Sequence, residues 1–194
     1  VNFVSKQYCL DMPKIVAQKL DWIKYGFELF ASQGESALIV DKMSQYLKCN
    51  RSSFYWHFGS KKKFIDEIIN YWIELDTNQI IQLVQEAESP QDKFFILVKQ
   101  AFKADSNLDF VLYLKRYATH HEEVKMIIES IDQQRIEFVA SILTEIGYTK
   151  TESSEKAMIF YKYLIGHHEM NRNIKQEQNY VNKIYKELKH FIDL

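Results

Sequence analysis

VDKMSQYLKCNRSSFYWHFGSKKKF, residues Val40–Phe64, contains two short apolar periods divided by a polar break. Val40, Met43 and Leu47 recur at helical steps, Lys48-Cys49-Asn50 interrupts them, and Phe54 and Phe58 sit one turn apart in the next segment. The pattern predicts a short helix, a three-residue turn and a second short helix capped by Asn50, which is the outline of a helix-turn-helix. With Phe54 and Phe58 turned inward, Arg51, Ser52, Tyr55 and Trp56 lie on the open face, with Ser53 and His57 beside them. That face offers donors and aromatic surface and no carboxylate, which suits a groove lined with phosphates. An exposed Tyr-Trp-His run is costly without a partner.

Lys61-Lys62-Lys63 comes next, in the first turn of a further predicted helix, where the macrodipole already presents positive partial charge. A phosphate at that N-terminus would meet both free backbone N–H groups and ammonium ions, whereas a solvated lysine run alone costs only about 0.3–1 kcal/mol per charge.

Working outward, Leu20, Ile23, Phe27 and Phe30 predict a buried helical face, with Pro13 in the first turn of that helix and Gly34 at its end. From Ser60 to Glu88 there is neither Gly nor Pro, and Phe64, Ile68, Trp72 and Leu75 form a stripe, so one helix of roughly 40 Å is expected at about 1.5 Å per residue. Ser89-Pro90 stops it. Phe95, Val98 and Phe102 favour a helix over a buried strand, the other reading of the apolar run 94–98. A short helix over 109–119 is expected, then a long one carrying Val124, Ile127, Ile131, Phe138, Ile142 and Ile146 and closed by Gly147, then helices over about 154–171 and 178–193.

Composition agrees with an all-α chain: 194 residues hold only five glycines and two prolines, too few for a turn-rich β fold. The net charge of −1 conceals an asymmetry, because residues 1–66 carry ten Lys and Arg against six Asp and Glu. The positive end is the one suited to a polyanion. Cys9 and Cys49 form neither a disulfide framework nor a metal pair, no apolar run is long enough for a membrane span, and no secretory signal opens the chain, so a cytoplasmic protein without membrane association is expected. Cys49 in the turn reads as an apolar filler rather than a redox switch.

Phe54-Tyr55-Trp56-His57-Phe58-Gly59-Ser60-Lys61, with Phe64 three residues on, resembles the recognition-helix signature of the TetR (tetracycline-repressor) family. Phe27, Phe30 and Gly34 resemble that family's first helix, and Val40, Met43 and Cys49 fall where it keeps apolar residues; the resemblance covers residues 14–66. It implies an all-helical homodimer in which the last two helices form the dimer interface, and an organisation of arm (1–13), DNA-binding domain (14–60) and effector and dimerisation domain (61–194). By this resemblance Tyr55 and Lys61 clamp phosphates of double-stranded DNA, Arg51, Ser52, Ser53 and His57 contact bases or backbone, and Trp56 does either. Lys48 joins this set from the turn, where the family keeps glycine, and Ile39 replaces a Thr that contacts phosphate. A two-fold dimer would set two recognition helices about 34–36 Å apart, or further, and read a pseudo-palindrome.

In the last two helices the apolar residues Tyr161, Leu164, Ile184, Leu188 and Phe191 exceed what a terminal hairpin needs to dock on one side, and Gly166 would permit close approach there, so they are the expected dimer interface. Phe102, Phe110, Tyr113, Tyr117, His120, His121, His167 and His168 are the aromatic and polar groups available to line a pocket for a small apolar or aromatic effector. The expected activity is therefore a regulator, a repressor released by that effector, with no cofactor, no metal and no catalytic residues. Two other readings remain open: an interaction protein whose DNA reader has drifted, and a helical-bundle metalloenzyme. The second would need two Glu-x-x-His motifs where the sequence supplies one, Glu187 to His190.

Overall fold

The computed structural model describes residues 17–103, 108–171 and 179–192, and the described residues contain helices and no strand. The first four helices are α1 (Lys19–Gln33), α2 (Val40–Tyr46), α3 (Arg51–Phe58) and α4 (Lys61–Ile73). They are followed by α5 (Gln79–Gln85), α6 (Pro90–Ala101), α7 (Leu108–Ala118), α8 (Glu122–Ile146), α9 (Lys150–Met170) and α10 (Tyr180–Ile192). The expected arm and Pro13 lie outside the described residues.

Local chemistry sets most helix ends. Asn50 Oδ1 accepts from Ser52 N–H at the start of α3, Ser60 Oγ from Lys63 N–H at the start of α4, and Ser89 Oγ from Asp92 N–H just before Pro90. Thr149 and Glu152 form a reciprocal capping box on α9, and Gly147 ends α8 in a left-handed conformation.

Two predictions of the helical pattern need correction. Leu20 is 48% exposed, and Trp22 is buried in its stead. Helix α1 begins only at Lys19, and its phase is set by the indole, which packs edge-on against Phe54 with ring centroids 5.3 Å apart. The helix expected over 60–88 is interrupted by a π turn, Glu74–Asn78, between α4 and α5. The extra residue moves the buried face from Trp72 to Thr77, five positions on, and brings the Arg135 guanidinium onto Thr77 Oγ1 and the Asp76 carbonyl.

The apolar interior forms two clusters. The first joins α1–α4 to α7 and the N-terminal half of α8; the second joins α5, α6, the C-terminal half of α8, α9 and α10. Gly26 lets α4 press against α1, since a Cβ there would come within 2.4 Å of the Phe64 ring. In the first cluster Phe110 of α7 is wholly buried, with centroids 4.7 Å from Phe27, 5.0 Å from Phe30 and 5.7 Å from Trp72. Replacing Phe110 by Ala should therefore lower unfolding free energy by about 3–5 kcal/mol, the cost of an aromatic-sized core cavity, measured as a shift in the urea midpoint. A loss below about 1 kcal/mol would mean that α7 does not anchor α1 in this way.

Candidate nucleic-acid interface and ligand cavity

Helices α2 and α3 make the helix-turn-helix, and Lys48 turns the corner with φ 51, the one non-glycine residue of positive φ among those described. Where the resemblance implies glycine, a lysine accepts the left-handed conformation at a cost of about 1–2 kcal/mol. Cys49 is half-buried beneath it, and burial pushes its thiol pKa up, which suits a filler. Ile39 stands at the N-cap of α2 and makes no side-chain cap.

On α3, Phe54 and Phe58 are buried while Tyr55 and Trp56 are left 48% and 78% exposed, and Arg51 and Ser52 are exposed with them. Ser53 is not part of that face: only 9% exposed, its hydroxyl accepts from Trp22 Nε1–H at 3.4 Å. It follows Phe54 inward because α3 packs that side against α1. His57 is half-buried and donates from Nε2 to the Ala17 carbonyl at 2.9 Å, tying α3 to the chain before α1. Tyr46 is exposed as well, at the end of α2, where it stacks on Tyr25 of α1 with centroids 3.8 Å apart. Sequence reasoning missed Tyr46; its place three residues beyond buried Met43 put it beside the core stripe.

The basic groups are less free than the sequence suggests. Arg51 Nε lies 3.0 Å from Asp41 of α2, and Lys61 Nζ lies 2.5 Å from Glu35. Lys62 pairs with Asp66 at 3.7 Å and with Glu123 of α8 at 3.2 Å, and the carboxylates hold its pKa above the usual lysine value. Lys63 makes no ion pair among the described residues. The carboxylates thus compensate part of the repulsion between the lysines and the start of α4.

Between the two clusters lies a cavity of about 510 Å³. Leu75, Ile80, Leu97, Phe138 and Leu164 give it an apolar wall, and Thr77, Arg135, Tyr161 and His168 bring polar groups to it. The Tyr161 hydroxyl donates to Asp132 at 2.6 Å, and burial pushes its pKa up. His168 donates from Nε2 to the Ala101 carbonyl at 2.7 Å.

Of the aromatic and histidine residues expected to line a pocket, His168 alone is on this wall. Phe102 is buried among Phe160, His167 and His168, and His167 pairs with the Tyr180 hydroxyl. Phe110 belongs to the first cluster, Tyr113 donates to the Ser32 carbonyl at 3.3 Å, Tyr117 stacks on His121, and His120 is exposed beyond α7. The reason is the phase of α7: it gives its aromatic face to α1 and leaves Val111, Leu112 and Lys115 to the cavity.

The expected dimer residues also divide. Tyr161 and Leu164 face the cavity, and Ile184 and Leu188 are buried in the chain's own second cluster, with α10 against α6. These four therefore serve intramolecular packing. Gly166 is half-buried with open space where a Cβ would stand, and nothing is described of the Phe191 side chain. The exposed apolar residues of α9 are instead Met158, Ile159, Ile165 and Met170.

No protein-family model matches the chain. A curated relative, the HTH-type transcriptional regulator YuxN of Bacillus subtilis, whose function is uncharacterised, is 24% identical over 144 residues, 71% of this chain and 48% of that protein. The chain therefore spans about half the length of the curated relative it matches. Among solved structures, a transcriptional regulator from Saccharomonospora viridis in complex with choline superimposes with a TM-score of 0.75 at 14% identity, over 90% of this chain and 95% of that one. A TetR transcriptional regulator from Legionella pneumophila gives 0.69 at 16% identity, over 91% and 96%. AibR in complex with isovaleryl coenzyme A and operator DNA gives 0.63 at 13% identity, over 90% and 95%. The fold is that of the TetR-family transcriptional regulators.

Two measurements test the site's geometry. Lys48→Gly should raise stability by about 1 kcal/mol by relieving the left-handed lysine, read from the urea midpoint; a fall would show that the turn is not strained there. Burial lowers the pKa of both His167 and His168, with the neighbouring His168 adding to the effect on His167 and the Ala101 carbonyl partly opposing it on His168. The unfolded chain then binds more protons in this range, so stability is fully present above the ordinary histidine value of about 6.5 and falls as the pH drops through and below it. His168→Gln should flatten that fall in thermal melts between pH 7.5 and 5; an unchanged slope would exclude His168 as a source.

Proposed function

We propose that this chain is a DNA-binding transcriptional regulator, a repressor that grips a pseudo-palindromic operator as a homodimer and releases it when a small molecule occupies the cavity. One observation carries the DNA-binding part: α3 of a helix-turn-helix keeps Tyr55 and Trp56 exposed although neighbouring Phe54 and Phe58 are buried. Solvent gives no reward for exposing those rings, whereas a DNA backbone and groove edge do. Lys48, Arg51 and Ser52 on the same side and Lys61 at the start of α4 supply donors to phosphates; His57 orients α3 from within. The operator DNA in the AibR complex supports this reading.

Release is supported by the two faces of α7. Val111, Leu112 and Lys115 line the cavity, while Phe110, Tyr113 and Tyr117 hold α1 and the loop after it. Gly34 makes that contact close, since a Cβ there would lie 2.7 Å from the Tyr113 ring. A ligand that shifts α7 must shift α1 or break this packing, so occupancy and recognition-helix spacing are coupled, by about 1–3 kcal/mol if the coupling is ordinary. Choline and isovaleryl coenzyme A in the similar structures support an effector without naming this one. The outward face of α9, with Met158, Ile159 and Met170 beside Gly166, is the surface we assign to the second copy.

A second reading, an interaction protein with a drifted DNA face, is favoured by Arg51 and Lys61 both being paired with carboxylates. Fluorescence anisotropy on the intergenic DNA beside the chain's own gene, at several salt concentrations, separates the two. Binding should be sequence-selective and salt-sensitive, and Tyr55→Ala with Lys61→Ala should weaken it roughly tenfold or more and reduce the salt slope by about one per lost phosphate contact. Equal affinity for unrelated DNA, unchanged in the double variant, would favour the interaction protein.

A further inference from the structure

The cavity between the two clusters carries a cation held by neutral acceptors. Arg135 projects from α8 with its guanidinium 5.0 Å from the Trp72 ring centroid, donating from Nε and Nη2 to Thr77 Oγ1 at 3.0 and 2.7 Å and from Nη2 to the Asp76 carbonyl at 3.2 Å. All these acceptors are uncharged, and Arg135 forms no ion pair among the described residues. Asp132, one turn away on the same helix, accepts from the Tyr161 hydroxyl instead. That hydroxyl is near enough to the guanidinium for the positive charge to oppose the rise of the tyrosine pKa.

Thr77 is 2% exposed and Trp72 is buried, so the guanidinium is positioned by groups that cannot swing away. The same wall carries Lys103 and Lys115, and against them Asp76 and Glu169. Arg135 differs from these in its setting. It is fixed between an indole face and a buried hydroxyl, and a half-buried cation held beside apolar surface is where a ligand anion gains most from charge-assisted hydrogen bonds. Thr77 and the Asp76 carbonyl take the Nε and Nη2 hydrogens, which leaves the two on Nη1 to meet an anionic oxygen.

We propose that the cavity binds an amphipathic anion, a molecule with one carboxylate or similar oxyanion held by the free Nη1 hydrogens of the Arg135 guanidinium and an apolar body lying along Leu75, Ile80, Leu97, Phe138 and Leu164. This deepens the regulator reading, since it names the chemical class of the effector for the same cavity. A volume of about 510 Å³ lies in the range of sites for small organic ligands. The Tyr161 hydroxyl stands beside the guanidinium as a second donor to the head group once its bond to Asp132 turns over.

The test compares three probes with one tail, decanoate, 1-decanol and decyltrimethylammonium, each titrated below its micelle concentration into the full chain by isothermal calorimetry. Decanoate should bind at least tenfold more tightly than either of the others. Arg135→Gln should bring decanoate down to the level of decanol and leave decanol unchanged, while Arg135→Lys keeps the charge without its mounting on Thr77 and should retain a smaller preference. Thermal melts of both variants confirm that they are folded. Equal binding of the three heads, tighter binding of the ammonium, no binding of any, or an anion preference that survives Arg135→Gln would each overturn the assignment. DNA binding by the same preparation is scored separately. Selective DNA binding without anion preference removes only the ligand class, and anion preference without selective DNA binding removes only the regulator.

Discussion

The burial of Phe110 between Phe27, Phe30 and Trp72 is the contact on which the rest of the molecule depends. It joins three helices with different places in the molecule: α1 supports α3, α4 runs from the basic start of the helix towards the cavity, and α7 closes the cavity on its other side. Because packed cores are bistable rather than continuously deformable, a displacement at one face of α7 has to be expressed at the other. The ion pair from Lys62 at the start of α4 to Glu123 at the start of α8 ties the same elements together at the surface, where screening leaves it worth little beside the aromatic contact.

The π turn makes the other half of this arrangement. Had α4 and α5 been one regular helix, the residue five beyond Trp72 would have rotated off the buried face; the extra residue returns Thr77 to it and gives Arg135 an acceptor. A single irregular turn thus creates both the polar end of the cavity and the rigid mounting of its cation. At the other end of α4 the electrostatics work by competition. Glu35 holds Lys61 in the free chain, and under the proposed function a DNA phosphate would compete for it, adding the backbone N–H groups at the helix N-terminus that Glu35 does not occupy.

The helix-turn-helix was legible because its signals are local: Asn50 as cap and the Phe54 and Phe58 pair one turn apart both depend on neighbours within a few residues. So were Ser89-Pro90, Gly147 and the long α8. The misreadings came from choices between faces that only tertiary packing decides. Ser53 and Tyr46 have similar local surroundings, yet one accepts a bond from Trp22 in the interior and the other stacks in the open on Tyr25. Aromatic density led to Phe110 and Tyr113 as cavity residues, whereas the less conspicuous face of α7 reaches the cavity. Ile184 and Leu188 looked like surplus apolar surface because sequence cannot show that α6 receives them. The π turn has no sequence signature here, with neither Gly nor Pro near it, so Arg135 could not be singled out.

The central claim is that α3 with the start of α4 reads double-stranded DNA as one half of a symmetric pair. Selection from a pool of randomised duplexes, sequenced over successive rounds, addresses it without an operator having to be chosen beforehand. The account predicts enrichment of a pseudo-palindrome whose half-sites are at least about one helical turn apart, and loss of that enrichment when Tyr55 and Lys61 are both replaced by Ala. A pool that stays random with the intact protein would contradict it.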